Sequence, residues 1–175
     1  MIKLTVLRIG ILSDTHSYLD PKVFKYFDEC DQVWHAGDIG LPAVTDELAK
    51  KFDLKAVWGN VDGTDLRSQF KEDLFFEVEG RKIFMTHIAG KPGTYNQRVA
   101  FLLNELKPDI IVCGHSHILR VEFDKKYNVL FINPGAAGVH GFHKVKTVLR
   151  FEITKGEIKN MQAIELGPRI ELPKK

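Results

Sequence analysis

Five short apolar runs, each stopped by a turn, set the kind of sheet this chain can build. They span residues 7–12, 33–36, 54–58, 82–85 and 109–113. Apolar runs of this length closed by Gly, Asp or Asn read as buried strands. Helical spacing fills the gaps between the first three. Residues 21–30 begin with Pro21 behind Asp20, a good N-cap, and set Val23, Phe24 and Phe27 at helical intervals. Residues 41–52 carry Pro42 in the first turn and put Val44, Leu48 and Phe52 on one face. Strand, helix, strand, helix, strand implies parallel pairing with right-handed crossovers.

The pattern then changes. Residues 75–79 and 82–85 read as a hairpin with Gly80 in its turn. A helix is expected over 95–106, capped by Thr94, with Val99, Leu102, Leu103 and Leu106 inward and Pro108 behind its end. After the strand at 109–113, strands are expected over 120–124, 129–132, 147–153 and 157–166. Residues 167–175 hold two prolines and mixed charge, and a loosely held tail is expected there. The length of 175 residues suits one domain. The turn residues of interest are spread over both halves, so the whole of 1–175 is expected to be a single domain.

Hydrophobic residues make up 44% and charged residues 27% of the chain, an ordinary balance for a soluble globular protein. A net charge of +2, with no Lys/Arg run beyond two residues, gives no support to a nucleic-acid partner. No apolar run approaches the ~20 residues of a membrane span. Lys3 and Arg8 interrupt the first apolar stretch, unlike a secretory signal, so a cytoplasmic location is expected. Cys30 and Cys113 form no paired motif, and Cys113 reads as a buried thiol. The sequence leaves homo-oligomerisation open.

The residues behind each run carry the chemistry. Asp14 and His16 follow the first, Asp38 the second, Asn60 the third, His87 the fourth, and His115 with His117 the fifth. Strand ends in an α/β sheet converge on one crevice. Residues i and i+2 of an extended chain share a side, so Asp14 and His16 can face one ion, as can His115 and His117. Seven nitrogen and oxygen donors in one crevice are enough for two metal ions. Each piece is common by itself. The specific signal is the order Asp-x-His, Gly-Asp, Gly-Asn, His, Gly-His-x-His, with every piece behind a strand.

That ordered set resembles the calcineurin-like metallophosphoesterase superfamily, from Ile9 to about Gly138. The short length, Gly59-Asn60-Val61-Asp62 and Asn133-Pro134-Gly135 look more narrowly like its small single-domain bacterial and archaeal phosphodiesterases, a branch that also includes the eukaryotic retromer scaffold subunit. The resemblance implies a metallo-dependent phosphatase-like α/β fold, a four-layer α/β/β/α sandwich of two mixed sheets flanked by helices. It implies that Asp14, His16 and His117 hold one ion, that Asn60, His87 and His115 hold the other, and that Asp38 bridges them. Carboxylate, amide and imidazole donors suit two divalent ions, Mn²⁺ foremost, with Fe²⁺, Zn²⁺, Co²⁺ or Ni²⁺ also compatible. Two ions roughly 3.5–4 Å apart can bind a bridging water and lower its pKa, and the hydroxide would attack phosphorus in line. The expected function is a metal-dependent phosphoesterase that prefers diesters and takes a small phosphate-ester substrate.

Two positions depart from the superfamily pattern. Val61 stands where a histidine usually protonates the leaving oxygen or contacts the phosphate, which leaves Asp62 without its usual partner. Ile88-Ala89-Gly90 replaces the usual Gly-His after His87. His140 and His143 are candidate proton donors to the leaving group, against the plainer reading of exposed loop histidines. His35 is either a contact to a ligand or a satisfied core histidine. Arg98, Arg120 and Lys91 could meet phosphate, although solvated surface charge is the plainer reading. Trp34 and Trp58 are expected in the core. The rival function is a non-catalytic protein-interaction scaffold on the same fold, and a structural metal site is a third. A scaffold is free to lose a ligand position, and this chain has kept all seven.

Overall fold

The computed structural model describes residues 6–170. In chain order, β1 (Leu7–Leu12) is followed by α1 (Lys22–Tyr26), β2 (Gln32–His35), α2 (Pro42–Ala49), β3 (Asp53–Ala56) and α3 (Thr64–Gln69). A hairpin of β4 (Asp73–Val78) and β5 (Arg81–Thr86) comes next, then a small one of β6 (Gly90–Lys91) and β7 (Thr94–Tyr95). The chain continues through α4 (Gln97–Leu106), β8 (Ile110–Val112), β9 (Leu119–Asp124), β10 (Val129–Pro134), β11 (Val145–Thr154) and β12 (Glu157–Pro168).

One sheet has the order β12-β11-β1-β2-β3 and the other β4-β5-β8-β10-β9. β1, β2 and β3 are mutually parallel, as the alternation with helices requires. β11 and β12 join the first sheet antiparallel. In the second sheet β5, β8 and β10 are parallel, and β4 and β9 form antiparallel edges.

Three apolar clusters occupy the three interfaces of a four-layer stack. Strand alternation sends Ile9 and Ile11 between the sheets, where they meet Trp34, Ile83, Met85, Val112, Ile132 and Phe151. Leu12, Val33 and Ala56 face outward beneath Val23, Val44 and Leu48 of the first two helices. Phe84, Ile111 and Phe131 face the opposite way, under Val99 and Leu103 of α4. Each such side chain contributes about 1.5–3 kcal/mol on burial. A one-residue slip would turn these faces over, so the register is firmly set. Gly10 permits the first crossover to close: a Cβ there would come within 2.7 Å of the Phe27 ring. The architecture is the α/β/β/α sandwich expected from the sequence.

Several elements differ from expectation for local reasons. α1 spans five residues and not ten, and Val23 is its one buried side chain. Asp20 accepts from Lys22 N at 3.0 Å, while its other oxygen holds the buried Lys146 ammonium at 2.7 Å. α2 stops at Ala49. The cap of α4 is Asn96, whose side chain accepts from Val99 N at 2.9 Å; Thr94 pairs with Lys91 in the small hairpin. Trp34 is buried as expected, but Trp58 is only half-buried, with the Arg67 guanidinium 4.2 Å over its ring. Residues 167–169, expected in a loosely held tail, are instead tied to the fold. β12 runs to Pro168, and the Arg169 side chain donates to His143 O and Val139 O at 3.0 and 3.2 Å. Residues 171–175 lie outside the described residues. Among the described residues, no helix is long and apolar enough to cross a membrane.

Candidate metal centre

All seven donor residues named from the sequence meet at one end of the two sheets. The first sheet delivers Asp14 and His16 past β1, Asp38 past β2 and Asn60 past β3; the second delivers His87 past β5, and His115 and His117 past β8. The reason that neighbours share a side differs from expectation. Asp14, His16, Asp38, His115 and His117 all have left-handed backbone, with φ of 56°, 46°, 52°, 66° and 57°. Such conformations cost about 1–3 kcal/mol each and persist only where surrounding contacts hold them. Here the loop after β1 is tied to the loop after β2: Asp14 N, His16 N and Ser17 N donate to Gly37 O, Asp38 O and Ile39 O at 2.8–3.0 Å. The side chains converge because the backbone turns, not because it is extended.

Two groups result. In one, the donor atoms of Asp14, His16 and His117 lie within 4.8 Å of each other; in the other, those of Asp38, His87 and His115 do. Asn60 Oδ1 is 2.9 Å from His115 Nδ1, which adds it to the second group. Asp38 Oδ2 lies between the groups, 3.8 Å from His16 Nε2 and 3.2 Å from His87 Nε2. His117 Nε2 is 3.1 Å from Asp14 Oδ1.

Hydrogen bonds on the far side of the rings set the tautomers. His87 Nδ1 is 2.8 Å from Ala36 O. A carbonyl can only accept, so Nδ1 carries the proton and Nε2 presents its lone pair inward. His143 Nε2 likewise donates to Gly138 O at 3.0 Å. Its Nδ1 therefore accepts from His117 Nδ1–H at 3.2 Å, and His117 Nε2 also faces inward as a lone pair. Burial holds His143 below the usual imidazole range, although the Gly138 carbonyl opposes this, and that keeps it neutral for the task.

The interior of the cluster is poorly satisfied by protein alone. Asp14 Oδ1 and His87 Nε2 are buried without a hydrogen-bond partner. The approach of His87 Nε2 to Asp38 is short but not aligned for a hydrogen bond. Burial pushes the His87 imidazole down, yet the Asp38 and Asp14 carboxylates beside it leave it raised overall. Asp38 shows the reverse: burial pushes it up, and His87, the Val61 N–H and His16 bring it below the carboxylate range. Burial lowers His16 against the pull of the same two carboxylates. Buried carboxylates and imidazole lone pairs aimed at one another fit a cation between them.

A supporting layer holds these groups, and little in the sequence pointed to it. The Asp62 carboxylate is buried and accepts from Ile39 N, Gly40 N and Gly59 N at 3.1, 2.7 and 2.7 Å. It fastens the Asp38 loop to the Asn60 loop, so the loss of a histidine at position 61 has not left it unpartnered. Asn133 Nδ2 donates to Gly114 O and Ser116 Oγ at 2.8 and 3.1 Å, which anchors the His115–Ser116–His117 turn. His35 touches no donor directly. Gly37 N donates to its Nδ1, its Nε2–H donates to Thr15 Oγ1, and Thr15 donates on to Ile39 O. Gly59 is needed for closeness, since a Cβ there would come within 2.2 Å of Asp38 Oδ1. The signal available was position: each lies within three residues of a donor or in the Asn-Pro-Gly turn.

The cluster opens into a cleft of about 540 Å³, lined by His16, Asp38, Asn60, His115 and His117 and rimmed by Val61, Ile118 and Phe142. These three apolar side chains are exposed. Val61 reaches the cleft with a methyl surface while its N–H donates to Asp38 Oδ1 at 3.0 Å. His140 is exposed, with its ring centroid 5.9 Å from that of His16. Arg98 is engaged by Asp73 and Glu72, and Arg120 by Glu122. Lys91 and Arg120 line a neighbouring cleft that reaches His115 and Ser116. Cys113 is buried, with its thiol held well above the usual range by burial.

Comparison with known proteins leads in the same direction. The profile of the calcineurin-like phosphoesterase superfamily domain matches residues 7–156. A probable metallophosphoesterase of Methanothermobacter thermautotrophicus is 29% identical over 139 residues, covering 75% of this chain and 77% of that protein. A solved structure described as a novel archaeal phosphodiesterase superposes with a TM-score of 0.73 at 25% identity, over 91% of this chain and all of that one. Vps29 of Entamoeba histolytica, crystallised with zinc, shares the fold with a TM-score of 0.64 at 20% identity, over 91% and 99% of the two chains.

Proposed function

This chain belongs to the calcineurin-like phosphoesterase superfamily, and from that premise we propose that it is a two-metal phosphodiesterase acting on small phosphate esters. Asp14, His16 and His117 would hold one divalent ion and Asn60, His87 and His115 the other, with Asp38 shared between them. The observation that carries this reading is the pair of buried, unpartnered atoms, Asp14 Oδ1 and His87 Nε2, inside a cluster of seven donors. Two ions there would supply Lewis-acid charge and a water made nucleophilic near neutral pH. The oxygen, amide and imidazole donors suit Mn²⁺ first.

The chain's own residues have separate parts in this scheme. Asp38 is fixed by Val61 N–H on one oxygen and presents the other to both groups. His143 positions His117 by accepting at Nδ1 from His117 Nδ1–H, and its one ring proton, on Nε2, is engaged by Gly138 O. It therefore has no free proton for a leaving group. His140, exposed beside His16, remains the candidate donor. Val61 cannot donate one. A site with weak leaving-group assistance and an open, apolar rim suits diesters with good leaving groups. The likeness to an archaeal phosphodiesterase supports the same preference. The scaffold reading has less support, because a scaffold needs neither the complete donor set nor the layer that fixes its tautomers.

The test is turnover of an aryl phosphodiester and an aryl phosphomonoester by chelated protein before and after Mn²⁺ is restored. Metal-dependent turnover with the diester faster is expected. Equal turnover in chelated protein, or a clear monoester preference, would contradict the proposal.

A further inference from the structure

Among the described residues, the two five-stranded sheets end in β3, β4, β9 and β12, and these edges differ in how they are protected. β12 is broken by two register shifts against β11 and carries Lys159. β3 is four residues long, and the chain beyond it is bridged from Val57 to Lys71. β4 carries Asp73 and Glu77, two charges of one sign that an antiparallel self-pair centred on Phe75 would set across from each other, and Asp73 is tied to Arg98. Charges, bulges and short strands are the usual protections of an edge. β9 pairs with β10 without a shift over its full length and has no Pro; it too carries charges, Arg120, Glu122 and Asp124, but they are of both signs. It leaves Leu119, Val121 and Phe123 exposed at 39%, 42% and 54%.

Those three share one face. They stand across from Pro134, Ile132 and Leu130 of β10, the last two of which pack in the core between the sheets. Arg120 and Glu122 occupy the other face, opposite Asn133 and Phe131. Read outward from Val121, the strand is antisymmetric in charge, with Arg120 on one side, Glu122 on the other, and Leu119 and Phe123 beyond them.

We propose that two copies of this chain pair through antiparallel β9 edges, with Val121 opposite Val121 on a two-fold axis. In that register Arg120 of each protomer faces Glu122 of its partner on one side of the joined sheet. Leu119 faces Phe123 on the other side, and Val121 packs on its own copy. Centring the axis on Arg120 or on Glu122 would set like charges directly across, which disfavours those registers. The contact is isologous and closes at two. The axis stands perpendicular to the sheet, so the two donor clusters lie at opposite ends of a joined ten-stranded sheet. Arg120 and Glu122, which pair within one strand in a single copy, exchange partners on assembly.

Light scattering and sedimentation of the full chain test this over a wide concentration range. Twice the chain mass of 19.9 kDa is expected. Arg120→Glu and Glu122→Arg should each raise the dimer dissociation constant by about tenfold or more, because each sets like charges across the axis. The double variant again sets opposite charges across the axis and should restore the dimer. A wild-type chain that stays at the monomer mass would overturn the proposal, including the case where another protein covers this edge. So would single variants that dimerise like the wild type, or a double variant that fails to recover.

Discussion

His117 and His143 face each other through their Nδ1 atoms at 3.2 Å, and the second ring nitrogen of His143 is held by Gly138 O. We propose on this geometry that His143 acts on His117 and not on the substrate. Removing such a partner of a ligating histidine typically costs 10–100-fold in metal affinity. His143→Ala is expected to weaken metal binding by about that factor, read by calorimetric titration of chelated protein. Excess metal should then restore most of its turnover. A large loss that excess metal does not repair, greatest on esters with poor leaving groups, would make His143 the proton donor instead.

Asp62 holds three backbone N–H groups from two loops. Hydrogen bonds to a charged group contribute about 1.5–3 kcal/mol each, and buried donors left bare add to the loss. Asp62→Ala should lower stability by about 3 kcal/mol or more in urea titration, and it should lower turnover because Asp38 and Asn60 lose their mutual placement. Asp62→Asn keeps one acceptor in place and should fall between. Unaltered stability in the alanine variant would mean that the loops are held by something else.

Burial, opposed by the Asp62 and Asp14 carboxylates, pushes the His35 imidazole down to about 4. Between the ordinary value of 6.5 and about 4, the unfolded chain takes up a proton that the folded chain refuses. Stability should thus fall as pH drops through that window and be untouched by this group above it. A fall of this size corresponds to ~3 kcal/mol once pH is below both values. Chelated His35→Gln should show a flatter stability curve between pH 6.5 and 4 than chelated wild type. Parallel curves would place the acid sensitivity elsewhere.

Val61 projects into the cleft at 49% exposure while its N–H fixes Asp38. Val61→His keeps the backbone contact and adds a proton donor at the rim. General acids contribute about 10²–10⁴-fold when well placed. The variant is expected to raise turnover of an alkyl phosphodiester by at least ~10-fold and to change an aryl diester much less. No selective gain on the alkyl ester would show that leaving-group protonation does not limit this site.

The strand ends were legible because a buried parallel strand must be apolar and must stop at a turn, and the donor residues sit in those turns. The left-handed backbone at Asp14, His16, Asp38, His115 and His117 was not legible, because it depends on ties between the β1 and β2 loops. α3 escaped notice because Leu66 is its one buried residue, too little for a helical period to show. Thr94 and Asn96 are both good caps by type, and the β6–β7 hairpin decides between them. Asp62 and His143 were judged from their immediate neighbours, whereas their partners lie 22 and 26 residues away along the chain.

Everything in the proposed mechanism depends on Asp38 being shared by two ions that are both required for hydrolysis. Its most direct test is Mn²⁺ bound per chain, measured alongside aryl diester turnover, in wild type and Asp38→Ala. Two equivalents are expected for the wild type, with turnover rising as the second binds, and the variant should lose at least ~100-fold in turnover. Full turnover in Asp38→Ala, or in wild-type protein holding one ion or none, would rule out the two-ion mechanism.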